Sequence, residues 1–138
     1  IHGAWPDNVS TELNYCGRKK DNYRIITDDR ETNDLYDRWP DLTIEKDICL
    51  DKQNFWRYEY NKHGTCCEAT YNQEQYFHLA VALKDKFDLL KSLGNHGIIP
   101  GSKYTVQKIN NTIKTVTQGY PNLSCTRGKL MELQEIGI

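Results

Sequence analysis

Apolar positions in the second half of the chain fall on helical spacings. From Gln73 to Leu93, Tyr76, Ala80, Leu83, Phe87 and Leu90 recur at alternating steps of four and three, and Gly94 interrupts the pattern. Residues three and four apart share a helix face, so the spacing predicts one amphipathic helix over this stretch. Thr105 to Gln118 repeats it on a smaller scale, with Val106, Ile109, Ile113 and Val116 on one stripe. A shorter helix is expected from Asn54 to His63, with Asn54 as its cap and Gly64 as its stop. Pro100-Gly101 marks a turn, and Pro121 to Thr126 reads as the entry to a strand. Ile1-His2-Gly3 reads as the end of a buried strand, and from so abrupt a start we expect a chain truncated at both ends. Long helices with short strands predict an α+β fold. The 138 residues suffice for a single domain over 1–138 with a real core.

Charge is distributed unevenly. From Arg18 to Arg38 there are twelve charged residues in twenty-one, six of each sign. Such a run is expected to be a solvated, irregular surface stretch, and loops of that kind also serve recognition. Over the whole chain the net charge is -1. A protein that grips long duplexes usually shows a basic face; one that clamps a single phosphodiester needs only a few local cations, so near-neutrality disfavours the first class and does not exclude the second. No run of eighteen apolar residues exists, and no membrane span is expected. Fifteen aromatic residues argue against disorder, and Trp39, Trp56 and most tyrosines are expected in the core.

Cysteine usage points to an oxidising compartment. Cys16, Cys49, Cys66, Cys67 and Cys125 accompany three glycosylation sequons, at Asn8, Asn110 and Asn122, which together favour a secreted chain. The odd number leaves Cys125 either as a free thiol or with a partner outside this sequence. Adjacent cysteines rarely pair with each other, so Cys66 and Cys67 are expected to form two separate bridges. A zinc site from His63, Cys66, Cys67 and His78 is an alternative that the sequons disfavour.

The densest chemistry lies between Phe55 and Cys67. Glu59, Lys62 and His63 share one helical face, and Phe55 lies a turn earlier on the same side. An acid, a cation and an imidazole converge there, although an ion-paired surface helix would show the same spacing. The bridges at Cys66 and Cys67 would pin the end that carries His63. A second dense motif, Ile1-His2-Gly3-Ala4-Trp5-Pro6-Asp7, supplies another imidazole. Two histidines are what RNA cleavage by internal attack requires: one removes the 2'-hydroxyl proton and the other protonates the leaving 5'-oxygen, each transfer contributing roughly 100- to 10,000-fold. His78 and His96 are assigned no role.

These two segments resemble the active-site segments of the ribonuclease T2 family. The form Lys62-His63-Gly64-Thr65-Cys66-Cys67 is most similar to the self-incompatibility S-RNases of the nightshade family, and Gly119-Tyr120-Pro121-Asn122-Leu123-Ser124-Cys125 resembles theirs as well. The resemblance implies a metal-independent endoribonuclease with no cofactor, forming 2',3'-cyclic phosphate ends. By it His2 matches the proton donor and His63 the proton acceptor. Glu59 and Lys62 match residues that polarise the phosphate and stabilise the pentacoordinate state. Trp5, by stacking, and Asp7, by hydrogen bonding, match a base-binding site, and Phe55 a second base platform. It also implies Cys16–Cys66 and Cys49–Cys67 bridges, with the partner of Cys125 missing. Many relatives carry His where Tyr58 stands; Tyr can still donate one hydrogen bond to the phosphate but cannot carry a positive charge. Ala4 replaces a bulkier residue, and S-RNases are usually basic. The expected architecture is an antiparallel sheet packed on several helices, with RNA entering a groove between the His2 strand and the Glu59–His63 helix. The expected protein is a secreted monomer whose Arg18–Arg38 stretch faces a pollen F-box protein. A defence or phosphate-starvation ribonuclease, and a non-catalytic recognition glycoprotein on the same scaffold, are the alternatives.

Overall fold

The computed structural model describes residues 1–8, 10–129 and 131–138. In order, its elements are α1 (Asp29–Arg38), α2 (Lys46–Lys52), α3 (Asn54–Lys62), a 3-10 turn (Gly64–Cys67), α4 (Gln73–Phe87), α5 (Leu89–Asn95), α6 (Val106–Thr117), β1 (Asn122–Cys125) and β2 (Leu133–Gly137). The fold is α+β. No helix among the described residues is long and apolar enough to cross a membrane. Two compact units divide the chain, Ile1–Lys84 and Asp85–Ile138.

The first unit is built on aromatic rings. Trp39 and Trp56 are fully buried and join Tyr23, Leu35, Cys49, Tyr60, Tyr76, Phe77 and Ala80 in one core. The rings meet mostly edge to face, as their quadrupoles favour, for example Trp39 on Phe77 with centroids 5.6 Å apart. Their polar tips are used as well: the Trp56 indole N–H donates to the Trp39 carbonyl at 2.7 Å, and that of Trp39 to the His2 carbonyl at 2.8 Å. The Tyr76 hydroxyl donates to the Ala4 carbonyl at 2.8 Å. Trp39 and Tyr76 thus hold the N-terminal segment, which forms no strand among the described residues; the expected strand end at Ile1-His2-Gly3 is therefore corrected to a segment pinned by side-chain donors.

The charged run is not irregular throughout. Asp28 accepts hydrogen bonds from the backbone N–H groups of Arg30 and Glu31 and so starts α1. Thr32 and Leu35, three apart, bury one face while the charges stay outside. Asn54 does not cap α3. Gln53 takes that place in a left-handed conformation with φ 50°, which kinks α2 directly into α3. Its buried amide is fully engaged: the oxygen accepts from the Tyr23 hydroxyl and the Ile26 N–H, and the nitrogen donates to the Ile26 and Leu50 carbonyls.

The long helix expected over Gln73–Leu93 is broken. Asp88 leaves helical geometry and caps α5 by accepting from the Lys91 N–H at 3.2 Å. The apolar stripe is split accordingly, with Tyr76 and Ala80 buried but Leu83 and Leu90 exposed. Gly94 lies inside α5, and the turn after that helix uses Gly97, at φ 68°.

In the second unit α6 matches its expected span, with Thr105 capping it and Gln118 ending it in a left-handed conformation. β1 and β2 pair antiparallel with Leu123 opposite Ile136 and a bulge between Ser124 and Cys125. Leu123 and Ile136 pack with Leu89, Tyr104 and Ile109 on a small buried core of Leu93, Ile98 and Ile113. The sheet thus lies on helices, as expected, although only two strands form it among the described residues.

Cys16 and Cys66 are bridged, with Cα atoms 4.8 Å apart. The expected Cys49–Cys67 bridge is not formed. Each thiol is turned to a different backbone group: Cys67 Sγ donates to the Gly64 carbonyl at 3.2 Å, and the buried Cys49 accepts from the backbone of Asp41. Cys125 is also a thiol.

Candidate active site

α3 delivers its chemistry at its C-terminal end. Glu59 and His63 are buried, at 2% and 4% exposure, and Lys62 between them is half-buried. His63 ends the helix, its N–H donating to the Glu59 carbonyl at 2.9 Å. The chain then tightens into the 3-10 turn through Gly64, where a Cβ would collide with the Tyr60 ring. Glycine is therefore required to bring Cys66 back to Cys16. The bridge and a hydrogen bond from the Tyr15 N–H to the Lys62 carbonyl, at 2.7 Å, clamp the end of α3 from outside.

The N-terminal segment meets this end through Trp5. Its indole stacks on the His63 imidazole, with centroids 5.2 Å apart and planes 30° from parallel. The same indole meets the His2 ring edge to face at 5.3 Å, and its N–H donates to Glu59 Oε2 at 3.4 Å. A Cβ at Gly3 would strike Trp5, so the approach of this segment also depends on glycine. Four residues from two segments, His2, Trp5, Glu59 and His63, thus form one contiguous group, and both imidazoles lie against one indole.

Electrostatics favour a neutral His63. Burial lowers its pKa first and the Lys62 ammonium second; His2 acts in the same direction, while Glu12 and Asp7 oppose it. Its Nδ1 is buried without a hydrogen-bond partner. Lys62 holds its proton more tightly than usual, chiefly through a hydrogen bond to Tyr58. The ammonium lies 5.5 Å from the centre of the Tyr58 ring.

The remaining expected residues are placed less centrally. Tyr58 is exposed beside Lys62. Asp7 is exposed, and its Oδ1 braces the following loop by accepting from the N–H groups of Asn8 and Leu13. Phe55 is half-buried and meets Trp39 edge to face at 6.4 Å, a core contact. His78 is exposed, and His96 contacts the Ser92 carbonyl of its own turn. Cys66 is spent in the bridge, which removes one ligand from the zinc alternative. Asn8 and Asn122 are exposed, whereas Asn110 is half-buried on α6. A concavity of about 460 Å³, lined in part by Leu35, Phe77, His78 and Val81, includes none of His2, Trp5, Glu59 and His63.

Sequence reasoning missed three contributors. The Tyr15 N–H holds the Lys62 carbonyl, and Glu12 acts on the His63 charge. Trp39 holds the His2 backbone. A usable signal existed for Tyr15, because it adjoins Cys16 and any bridge from Cys16 to Cys66 carries it to the end of α3.

Known proteins resemble this chain in sequence and in fold. The model of the ribonuclease T2 family matches residues 1–138. Ribonuclease S-6 of Nicotiana alata is 71% identical over 138 residues; the match takes in the whole of this chain and 63% of that relative, so the chain spans less than two thirds of its length. The crystal structure of the self-incompatibility-associated SF11-RNase of the same plant superposes with a TM-score of 0.92 at 49% identity, covering 100% of this chain and 70% of that one. A mutant of RNase MC1 in complex with 5'-GMP gives a TM-score of 0.81 at 31% identity, covering 96% of this chain and 68% of that one.

Proposed function

The chain belongs to the ribonuclease T2 family, and from that premise we propose that the complete protein is a secreted endoribonuclease cleaving single-stranded RNA by internal attack of the 2'-hydroxyl. The observation that carries the reading is the pair of imidazoles, His2 and His63, against one indole with Glu59 and Lys62 beside them. His63, biased toward its neutral form, takes the 2'-hydroxyl proton. The resulting oxygen attacks the adjacent phosphorus, and His2 protonates the departing 5'-oxygen. The products are a 2',3'-cyclic phosphate and a 5'-hydroxyl. No water is consumed in this step, and each imidazole ends in the state opposite to the one in which it began. Lys62 and Glu59 stabilise the charge that develops on the phosphoryl oxygens, as preorganised groups in a partly buried site do. Trp5, half exposed, offers an outer face to a base, with Asp7 nearby in sequence for its polar edge, and Phe55 offers a second base platform.

The high identity to Nicotiana alata S-RNases favours a stylar self-incompatibility role. In that role the Arg18–Arg38 stretch faces a pollen F-box protein, and the exposed charges of α1, among them Asp29, Arg30, Asp34 and Asp37, supply the contact surface. Glycans are proposed on Asn8 and Asn122 before Asn110, because the first two are exposed. The test is incubation of the full-length protein with RNA in the presence of a chelator, with the product ends identified. Cyclic phosphate ends are expected, and His63→Ala should lose roughly 100- to 10,000-fold in rate; undiminished cleavage by that variant would remove the mechanism.

A further inference from the structure

The charged run opens with three cations in succession. Arg18, Lys19 and Lys20 are all exposed, and among the described residues no carboxylate forms an ion pair with any of them. The acid that follows is turned inward: Asp21 pairs with Arg57 at 3.0 Å and accepts from the Asn61 side chain at 2.9 Å. The loop is also fixed in shape. The Asn22 N–H donates to Asn61 Oδ1 at 2.8 Å, and the Asn22 side chain donates to the Lys19 carbonyl at 2.8 Å. A Cβ at Gly17 would strike the Asn22 amide, so the loop closes only on glycine.

Its position ties it to the candidate site. The Tyr15 N–H donates to the Lys62 carbonyl at 2.7 Å, and Cys16 is bridged to Cys66 with Cα atoms 4.8 Å apart. Two residues span at most roughly 7 Å of chain, so Arg18 lies no farther than that from Cys16. The cations therefore begin beside the end of α3 that carries Lys62 and His63, and Tyr15, 59% exposed, precedes them. Exposed aromatic faces with cations that follow the backbone are the means by which proteins hold single strands. A chain of net charge -1 has no general attraction for RNA and needs such a local cluster. We propose that Arg18, Lys19 and Lys20 form a second phosphate-binding subsite, which takes phosphates of the RNA strand outside the bond being cleaved. The identity of the strand rests on the ribonuclease reading above, and the exposed charges of α1 are left to the protein contact described there.

The experiment compares the full-length protein with a variant carrying Arg18→Gln, Lys19→Gln and Lys20→Gln. KM and kcat are measured on a dinucleotide and on oligonucleotides lengthened at the 5' or the 3' end. Binding of a single-stranded DNA oligonucleotide, which lacks the attacking hydroxyl, is followed across salt concentrations. Dinucleotide kinetics should be equal in the two proteins. Lengthening the substrate at one end should lower KM for the wild type, and the variant should lose that gain. The slope of log affinity against log salt should fall by about 0.7 for each cation removed, about 2 in all. A variant that keeps the gain would overturn the proposal. So would a loss that is equal whichever end is lengthened, since that marks an attraction for any polyanion and not a strand led from the cleft to one loop. DNA binding as expected in a protein that does not turn over RNA would overturn the ribonuclease reading alone.

Discussion

The two compact units solve different problems with different cores. Ile1–Lys84 is packed around Trp39, Trp56, Tyr60, Tyr76 and Phe77, whereas Asp85–Ile138 buries Leu93, Ile98 and Ile113 under a two-stranded sheet. Aliphatic side chains only fill space. Tryptophan and tyrosine fill space and carry a polar tip that needs a partner, and in the first unit the partners include the carbonyls of His2 and Ala4. The aromatic core therefore holds the functional segment as well as excluding water. All the candidate catalytic and base-binding residues lie in the unit whose core can do both.

The contrast can be tested by breaking each core in turn. Trp56→Ala should destabilise the full-length protein by about 3–5 kcal/mol, and Ile113→Ala by about 2–5 kcal/mol, in denaturant unfolding. Only the first should lower kcat in the molecules that remain folded, and an equal loss from Ile113→Ala would erase the distinction between the units. Replacing Cys16 and Cys66 together by Ser should cost about 2–4 kcal/mol, because the bridge closes a long loop. It should also raise hydrogen exchange at the end of α3. Trp39→Phe keeps a ring in the core but leaves the His2 carbonyl without its donor, at a cost of about 1–3 kcal/mol. A fall in kcat larger than that of other core substitutions of equal ΔΔG would show that the indole N–H positions His2. The smallest effect is expected in the second unit, where Thr105→Ala removes the cap of α6 for about 1 kcal/mol and should leave kcat unchanged.

Much of this contrast is legible in the chain. The Glu59, Lys62, His63 spacing, the α6 stripe with its caps, and the two buried tryptophans follow from local rules, and the two active-site motifs identify the family. What escaped reading depends on contacts distant in sequence. The charged run hides α1 because its buried face needs only Thr32 and Leu35. The α4–α5 break escaped because Asp88 interrupts an apolar stripe without changing its period. Gln53 gave no sign of serving as a junction, since its buried amide is satisfied by four hydrogen bonds from Tyr23, Ile26 and Leu50, residues of two separate segments. Tyr15 escaped too, although the bridge of its neighbour Cys16 to Cys66, fifty positions away, carries it to the end of α3.

Acidification acts on both stability and rate through His63. Its folded pKa is lowered from the ordinary 6.5, so the unfolded chain binds the proton more readily than the folded one. The resulting stability is fully present above pH 6.5 and is lost as pH falls through the depressed folded value. The most direct test of the central claim, that His63 and His2 act as base and acid on one phosphodiester, is the pH dependence of kcat/KM for full-length wild type, His2→Ala and His63→Ala on a dinucleotide. A bell-shaped wild-type profile is expected, with its acidic limb below 6.5. His63→Ala should abolish that limb and His2→Ala the alkaline one, each with a large loss of rate. A profile whose acidic limb survives His63→Ala would contradict the account.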